Sequence, residues 1–469
     1  MDTFIEKIQS KYFELVDDYF GSLYRRCSDK NVHDAAVHYS NMPLSGNIIY
    51  DMLPELKDAI MALWTTNRKE LYDSISKIPG LKVCYSGDIS PSESFQFISR
   101  TGMYVDTTLI PDPLVKLLNT PSNLFEPRYQ IYYTVKHVFN VLDAQEFFFS
   151  DTEMPISIIY PLAFYFNENR RDVCSNEADE DFKKYFSELF ESEAEEKLLS
   201  DILSKNTKKI ADSIKNPSIL PPQFFDPQDV TKGLENGNEV MSSIGIAKVV
   251  KKSGLALKLY VIGRLMGLSD CFLDCVSFDS KPVFDSVNSW SMFKWKLASN
   301  NYQITKKLEL DPSTAIINSL QLDNFRWLGN IPPEKLVTLR NNNELSEIRE
   351  LLAHEISEIH NCNRADLELV ANRVKYNLKS AFEKHKEEIK TLEEDLKTRY
   401  QIDGTLLVTG AICAVASLFW SPAALISIIG GGGILGFYDA IAGKKEKIEE
   451  ITNKPIGILF SASQEGTKL

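Results

Sequence analysis

Four residues in the middle of the chain have types and spacing that chemistry can use. Asp270 and Asp274 are four apart, and so are Cys271 and Cys275. Residues four apart share a helix face, so a helix here presents two carboxylates together and two thiols beside them. Asp279 and Asp285 follow. A two-metal nuclease holds its ions with such acids and adds a basic partner. The plainer expectation is a helix end and a loop bearing ordinary acids. A second candidate is His354, His360 and Cys362. Their H-x5-H-x-C spacing is not one that holds zinc, and the expectation is helix-surface histidines. A third is Gly431, Gly433 and Gly436, which match G-x-G-x-x-G after an apolar run. A dinucleotide fold needs more strand and helix beyond its glycines, and only 33 residues follow Gly436. G-x-S-x-G, H-E-x-x-H, G-x-x-x-x-G-K-[ST] and C-x-x-C do not occur. No catalytic, cofactor-binding or metal-ligating residue is therefore expected, and the leaning is away from an enzyme.

The whole-chain balance narrows the function class. The 469 residues are 43% hydrophobic and 25% charged, ordinary for globular protein, with a net charge of −13. That charge argues against a general nucleic-acid surface, which needs clustered basic residues. The first twenty residues are charged and lack an apolar core segment, so no signal peptide is expected. Seven scattered cysteines read as reduced thiols rather than a disulfide framework.

The elements that would position these residues are mostly helices. Phe4, Ile8, Phe13, Val16 and Phe20 recur at helical spacing over 3–26. Residues 45–78 continue as helix. Gly80–Tyr85 and Met103–Ile110 read as short strands, with Pro113 a plausible first helical position after the second. Tyr129–Phe148 is a long helix. Ile156–Phe166 is an apolar segment punctuated by Pro161. Asn176–Ser204 is an acidic helix with Phe182, Tyr185, Phe186, Leu189 and Phe190 on one face; its acids are expected to be solvated. Pro217–Gln228, with four prolines, is the best linker candidate. Val240–Leu268 reads as one long helix or a helical hairpin. Asp279–Asn301 is turn-rich, with Trp290, Phe293 and Trp295 in a core. Leu308–Leu310 and Thr314–Leu322 are candidate paired strands. From Leu367 to Tyr400 the apolar or tolerated positions advance in steps of 3, 4 and 4. That eleven-residue period gives a nearly straight helical packing, a stalk on a partner helix or a helix lying on the soluble part.

The C-terminal run dominates the chain. Gly404–Tyr438 is thirty-five residues without a charge. As one helix it would span roughly 52 Å, against a hydrocarbon core of about 30 Å. Trp420-Ser421-Pro422 falls near its middle, and the residue before a proline avoids helix. A hairpin with its turn at Trp420, Ser421 and Pro422 follows; the rival is one spanning helix, 405–427. Lys397 and Arg399 precede the run, and Lys444, Lys445 and Lys447 follow it. Basic flanks collect on the cytoplasmic side, which favours both ends on one side. Gly410 with Ala414, and Gly432 with Gly436 and Ala440, are spaced by four, which lets helix backbones approach closely in lipid. A buried core hairpin in a soluble helical protein is the other reading.

Between the central region and the stalk, Pro332 to Arg340 reads Pro-Pro-x-x-Leu-x-x-Leu-Arg, with Ile348-Arg349 in the next helix. This segment resembles one found in several uncharacterised bacterial protein families. The resemblance covers about thirty residues and implies that Arg340 and Arg349 tie two helices together. The layout, a large soluble part followed by a late hydrophobic hairpin, is similar to that of bacterial membrane-disrupting defence effectors.

The expectation is a mainly α protein with a few short strands (α+β), a long helical stalk and a C-terminal hydrophobic helical hairpin. Its domains would be 1–216, a central helical part 217–362, a stalk 363–403, a membrane hairpin 404–443 and a tail 444–469. It would be a sensor or effector at the inner membrane with its soluble domains in the cytoplasm. Its partners would be the lipid bilayer, its own copies through hairpin and stalk, and an activating protein. The alternatives are a membrane-tethered enzyme with a site assembled from scattered residues, and a soluble scaffold.

Overall fold

The structure, a computed structural model, describes residues 3–27, 31–86, 96–103, 105–119, 126–149, 154–191, 206–241, 253–284, 286–299 and 333–341. The chain divides into two compact units, Met1–Leu322 and Asp323–Leu469.

The first unit is mostly helical around one small sheet. Three helices open it: α1 (Thr3–Arg25), α2 (Val32–Asn41) and α3 (Pro43–Ser76). Then come β1 (Lys82–Tyr85), α4 (Gln96–Gly102), β2 (Thr107–Pro111), α5 (Pro113–Asn119), α6 (Pro127–Asp143) and β3 (Ser157–Tyr160). The rest are α7 (Glu168–Phe190), α8 (Thr207–Ser213), α9 (Val230–Met241), α10 (Ser253–Phe278), β4 (Lys281–Val283) and α11 (Val287–Ala298). In the second unit the described helix is α12 (Pro333–Asn341), with Leu336 and Leu339 buried. It starts on the second proline of the Pro-Pro pair, where a missing N–H costs nothing.

The sheet runs β3-β2-β1-β4, and every pair is parallel. Cys84 stands beside Leu109, and Leu109 beside Ile158. Side chains alternate along a strand, so Cys84, Leu109, Ile158 and Tyr160 share one face, and Val83, Thr108, Ile110 and Ser157 the other. α10 and α3 pack on the first face, where Cys271, Cys275 and Tyr72 meet Cys84 and Tyr160. α4 covers the second, through Thr101 Oγ1 at 2.9 Å from Thr108 Oγ1. The chain steps outward from β1 to β3, then returns to lay β4 on the other side of β1. Such a reversal makes a topological switch point at the carboxyl ends of β1 and β4, where open parallel sheets bind ligands.

The edge of β3 is closed by a side chain. Gln9 of α1 donates to the Ile159 carbonyl at 2.8 Å and accepts from the Ile159 N–H at 3.0 Å. Its amide does what a neighbouring strand would do, and an open edge is thereby blunted.

A second core lies among α7, α8, α9, α10 and α11. The Pro-rich segment expected to be a linker belongs to it: Leu220 and Phe224 are buried there with Phe186 and Leu257. A Cβ on Gly237 would stand 2.1 Å from the Phe224 ring, so α9 needs glycine where that ring enters.

The mainly α expectation holds, with a small sheet in place. Two segments differ from it. Ile156–Phe166 contributes β3, and Asp279–Asn301, expected to be turn-rich, contributes β4 and the helix α11. Both strands are buried, and buried parallel strands show apolar runs without alternation. Among the described residues no helix is long and apolar enough to cross a membrane. The run Gly404–Tyr438, the stalk 363–403 and the candidate strands Leu308–Leu310 and Thr314–Leu322 lie outside the described residues.

Candidate functional site

The sheet face carrying Cys84 and Tyr160 meets α10 on a buried polar network. α10 presents Asp270, Cys271, Asp274 and Cys275 within one and a half turns, and all four are buried. The two acids and two thiols do share the inward side, as their spacing requires. The acids do not surround an ion pair of metals. They hold Arg170 from the first turn of α7: Nε lies 2.5 Å from Asp270 Oδ1, and an Nη lies 2.6 Å from Asp274 Oδ1 and 2.7 Å from the Asp270 carbonyl. Asn167 caps α7 by accepting from the Arg170 N–H at 3.2 Å, which fixes the arginine's starting point.

Two phenols complete the network. Tyr160 donates to Asp274 Oδ2 at 3.1 Å and sits 2.9 Å from Cys84 Sγ. One hydroxyl carries one hydrogen, so with Tyr160 donating to Asp274 the Cys84 thiol donates to Tyr160. Tyr72 of α3 lies 2.9 Å from the Pro161 carbonyl and 3.1 Å from Asp274 Oδ1. It too has one hydrogen for two acceptors, and a proton kept on Asp274 satisfies both contacts. The electrostatics agree. Burial raises the Asp274 carboxyl well above the carboxylate range, against the pull of Arg170. Burial raises Asp270 as well, again opposed by Arg170. Burial disfavours the Arg170 cation, but Asp274 and Asp270 override it and hold the guanidinium charged.

The thiols form the other half of the site. The sulfurs of Cys84, Cys271 and Cys275 all lie within 4.8 Å of one another, fully enclosed. Hydrogen bonds from Cys275 and Cys84 lower the Cys271 thiol to about 5, with Ser86 helping and burial opposing. Burial drives Cys84 and Cys275 up. These three residues are the set that could hold a metal among the described residues.

Two further buried polar clusters support the scaffold. Lys296 of α11 is fully buried and pairs with Asp181 and with Glu177 at 2.8 Å, and donates to Ser269 at 3.2 Å. Two acids of α7 thus turn inward, where a solvated face was expected. Asp112, the residue before α5, accepts from Tyr12 at 2.8 Å, Trp64 Nε1 at 2.6 Å and the Leu114 N–H at 2.8 Å. Burial nevertheless pushes its carboxyl up to about 6.

Of the residues singled out by sequence, Asp270, Cys271, Asp274 and Cys275 come together. Asp279 ends α10 with φ 48° and stands outside that network. Arg340 is half-buried in the last turn of α12. Asp285, Arg349, His354, His360, Cys362, Gly410, Ala414, Trp420, Ser421, Pro422, Gly432, Gly436 and Ala440 lie outside the described residues. Cys84, Tyr72, Tyr160 and Arg170 were not legible, because nothing local marks a strand cysteine or a helix arginine whose partners are about a hundred residues away. Asp112 had a signal, since a Pro-Asp-Pro before a helix is a natural capping position. No protein-family model, curated protein or solved structure gives a significant match to the chain.

Proposed function

We propose that the chain is a membrane-attached sensor or effector, with a soluble part in the cytoplasm and a C-terminal apolar hairpin that acts at the inner membrane. The observation that carries this reading is the uncharged run Gly404–Tyr438 with Lys or Arg on both flanks. An uncharged stretch of that length normally reads as membrane-inserted. The first unit supports a scaffolding role for the soluble part. Its largest buried charged groups, Arg170 and Lys296, are held by acids from neighbouring helices, an arrangement that rigidifies helices against one another. The hairpin would be driven through the stalk by an activating partner bound to that scaffold.

Fractionation tests it. The full chain is expected with membranes, released by detergent and not by salt. Deleting Gly404–Gly443 should move it to the soluble fraction with its helical content, read by circular dichroism, intact. Loss of folding on deletion would instead make the run part of a soluble core.

A further inference from the structure

We propose that Cys84, Cys271 and Cys275 form a binding site for a single thiophilic metal ion, Zn²⁺ by preference, at the carboxyl end of the sheet. The site goes beyond the membrane reading and holds whatever the C-terminal run does. Three thiols meet here from segments about 190 residues apart, one on β1 and two on successive turns of α10. Their sulfurs lie within 4.8 Å of one another. Thiolates sharing one ion at bonds of about 2.3 Å stand about 3.8–4.0 Å apart, so closing the site takes small rotamer adjustments and no backbone movement. Buried cysteines often act as small apolar side chains, but an apolar role does not call for polar groups around the sulfurs. Here the Tyr160 hydroxyl lies 2.9 Å from Cys84 Sγ, and the Ser86 hydroxyl bonds Cys271. These two oxygens stand at the rim, where a fourth ligand or its outer partner belongs.

Charge selects the ion. Three thiolates around Zn²⁺ leave one net negative charge in a buried place; Cu⁺ would leave two. Soft sulfur ligands disfavour Mg²⁺ and Ca²⁺. The entry route follows from the topology. Ser86 is half-buried where β1 ends, and its N–H bonds the Val283 carbonyl of β4 at 2.8 Å, at the switch point of the sheet. Binding takes three thiol protons off and passes them to solvent, so occupancy should rise with pH.

The test uses the full chain, reduced and stripped with a chelator. Titration with Co²⁺ should give sulfur-to-cobalt charge-transfer absorption saturating at one ion per chain, and Zn²⁺ should erase it. Cys84→Ser and Cys271→Ser should each abolish the band, while Cys27→Ser, whose thiol lies 3.6 Å from Tyr39 in another part of the unit, should keep it. Absence of the band in the native chain, or its persistence in Cys84→Ser, overturns the site. If a variant does not fold, X-ray absorption at the zinc edge of the native chain decides. A shell with three sulfurs at about 2.3 Å supports the proposal, and a shell of nitrogen and oxygen alone overturns it.

Discussion

Lys296 and Asp112 show what burial does to single charged side chains. Lys296 is enclosed with Asp181 and Glu177. Removing one partner of a buried pair leaves the others charged and dry, which costs about 3–5 kcal/mol. Lys296→Met should therefore destabilise strongly in denaturant titrations, and Lys296→Met with Asp181→Leu should recover part of the loss. Simple additivity of the two changes would show that the contact is not energetically coupled. Asp112 makes a pH prediction. Its carboxyl sits at about 6 in the folded chain against an ordinary 3.8. The folded state thus binds that proton more tightly than the unfolded state does. The contribution to stability is full below pH 3.8 and is lost as pH rises through about 6. The slope is up to about 1.4 kcal/mol per pH unit across that window. Asp112→Asn should lack this slope, whatever its absolute stability. An unchanged pH profile from pH 4 to 6 in the variant would place the titration elsewhere.

Among the elements, the sheet is the part most dependent on help. Its strands have three to five residues each, and such short parallel strands need cover on both faces and at the edges. Gln9 provides the edge cover for β3. Gln9→Leu keeps the volume but leaves the Ile159 N–H and C=O in an apolar place, at about 1–3 kcal/mol for each group left unmade. The expected outcome is a lower melting temperature and faster amide exchange at Ile159. Exchange that stays at the native rate would mean that water or another strand replaces the glutamine. The turn into β1 has its own requirement. Gly80 has φ +85°, and a Cβ there would meet Asp106 Oδ2 at 2.5 Å. That carboxylate accepts from the Leu81 N–H at 2.7 Å and sets where β1 begins. Gly80→Ala should cost about 1–2 kcal/mol from the left-handed backbone alone and more from displacing Asp106, read by chemical denaturation.

At the scale of the whole molecule, the predictions concern transmission from the soluble part to the C-terminal run. If the hairpin assembles in the bilayer, close backbone approach at Gly432, Gly436 and Ala440 matters. Gly432→Leu with Gly436→Leu should leave membrane localisation unchanged and abolish dye leakage or growth arrest on overexpression. Leakage that persists at equal expression would leave a passive anchor. Three residues inserted near Lys386 should turn the hairpin by about 300° at roughly 100° per residue, uncoupling the two parts while each stays folded.

The sequence by itself determined most of the helices. Ile8, Phe13, Val16 and Phe20 repeat at helical spacing, and α1 buries all four. The same holds for the aromatic face of α7, and Pro113 and Pro333 open helices, since a proline's fixed φ suits the first turn. These features depend on neighbours within a few residues, so the order of residues alone reveals them. It also placed Asp270 with Asp274 and Cys271 with Cys275 on one side of a helix. Only the tertiary structure decided what those pairs face. Arg170 reaches both acids across 100 and 104 residues, and Cys84 joins the two thiols from a strand far earlier in the chain. The parallel order β3-β2-β1-β4 was equally hidden. Parallel partners are joined by crossovers rather than hairpins, and strands of three to five buried residues are too short to show a period. The acids of α7 make the same point. Their charge predicted a solvated face, yet Glu177 and Asp181 turn inward because a lysine 115 residues beyond Asp181 is buried against them. A charge run reveals its composition, but which of its members face solvent depends on where a distant counter-charge lands.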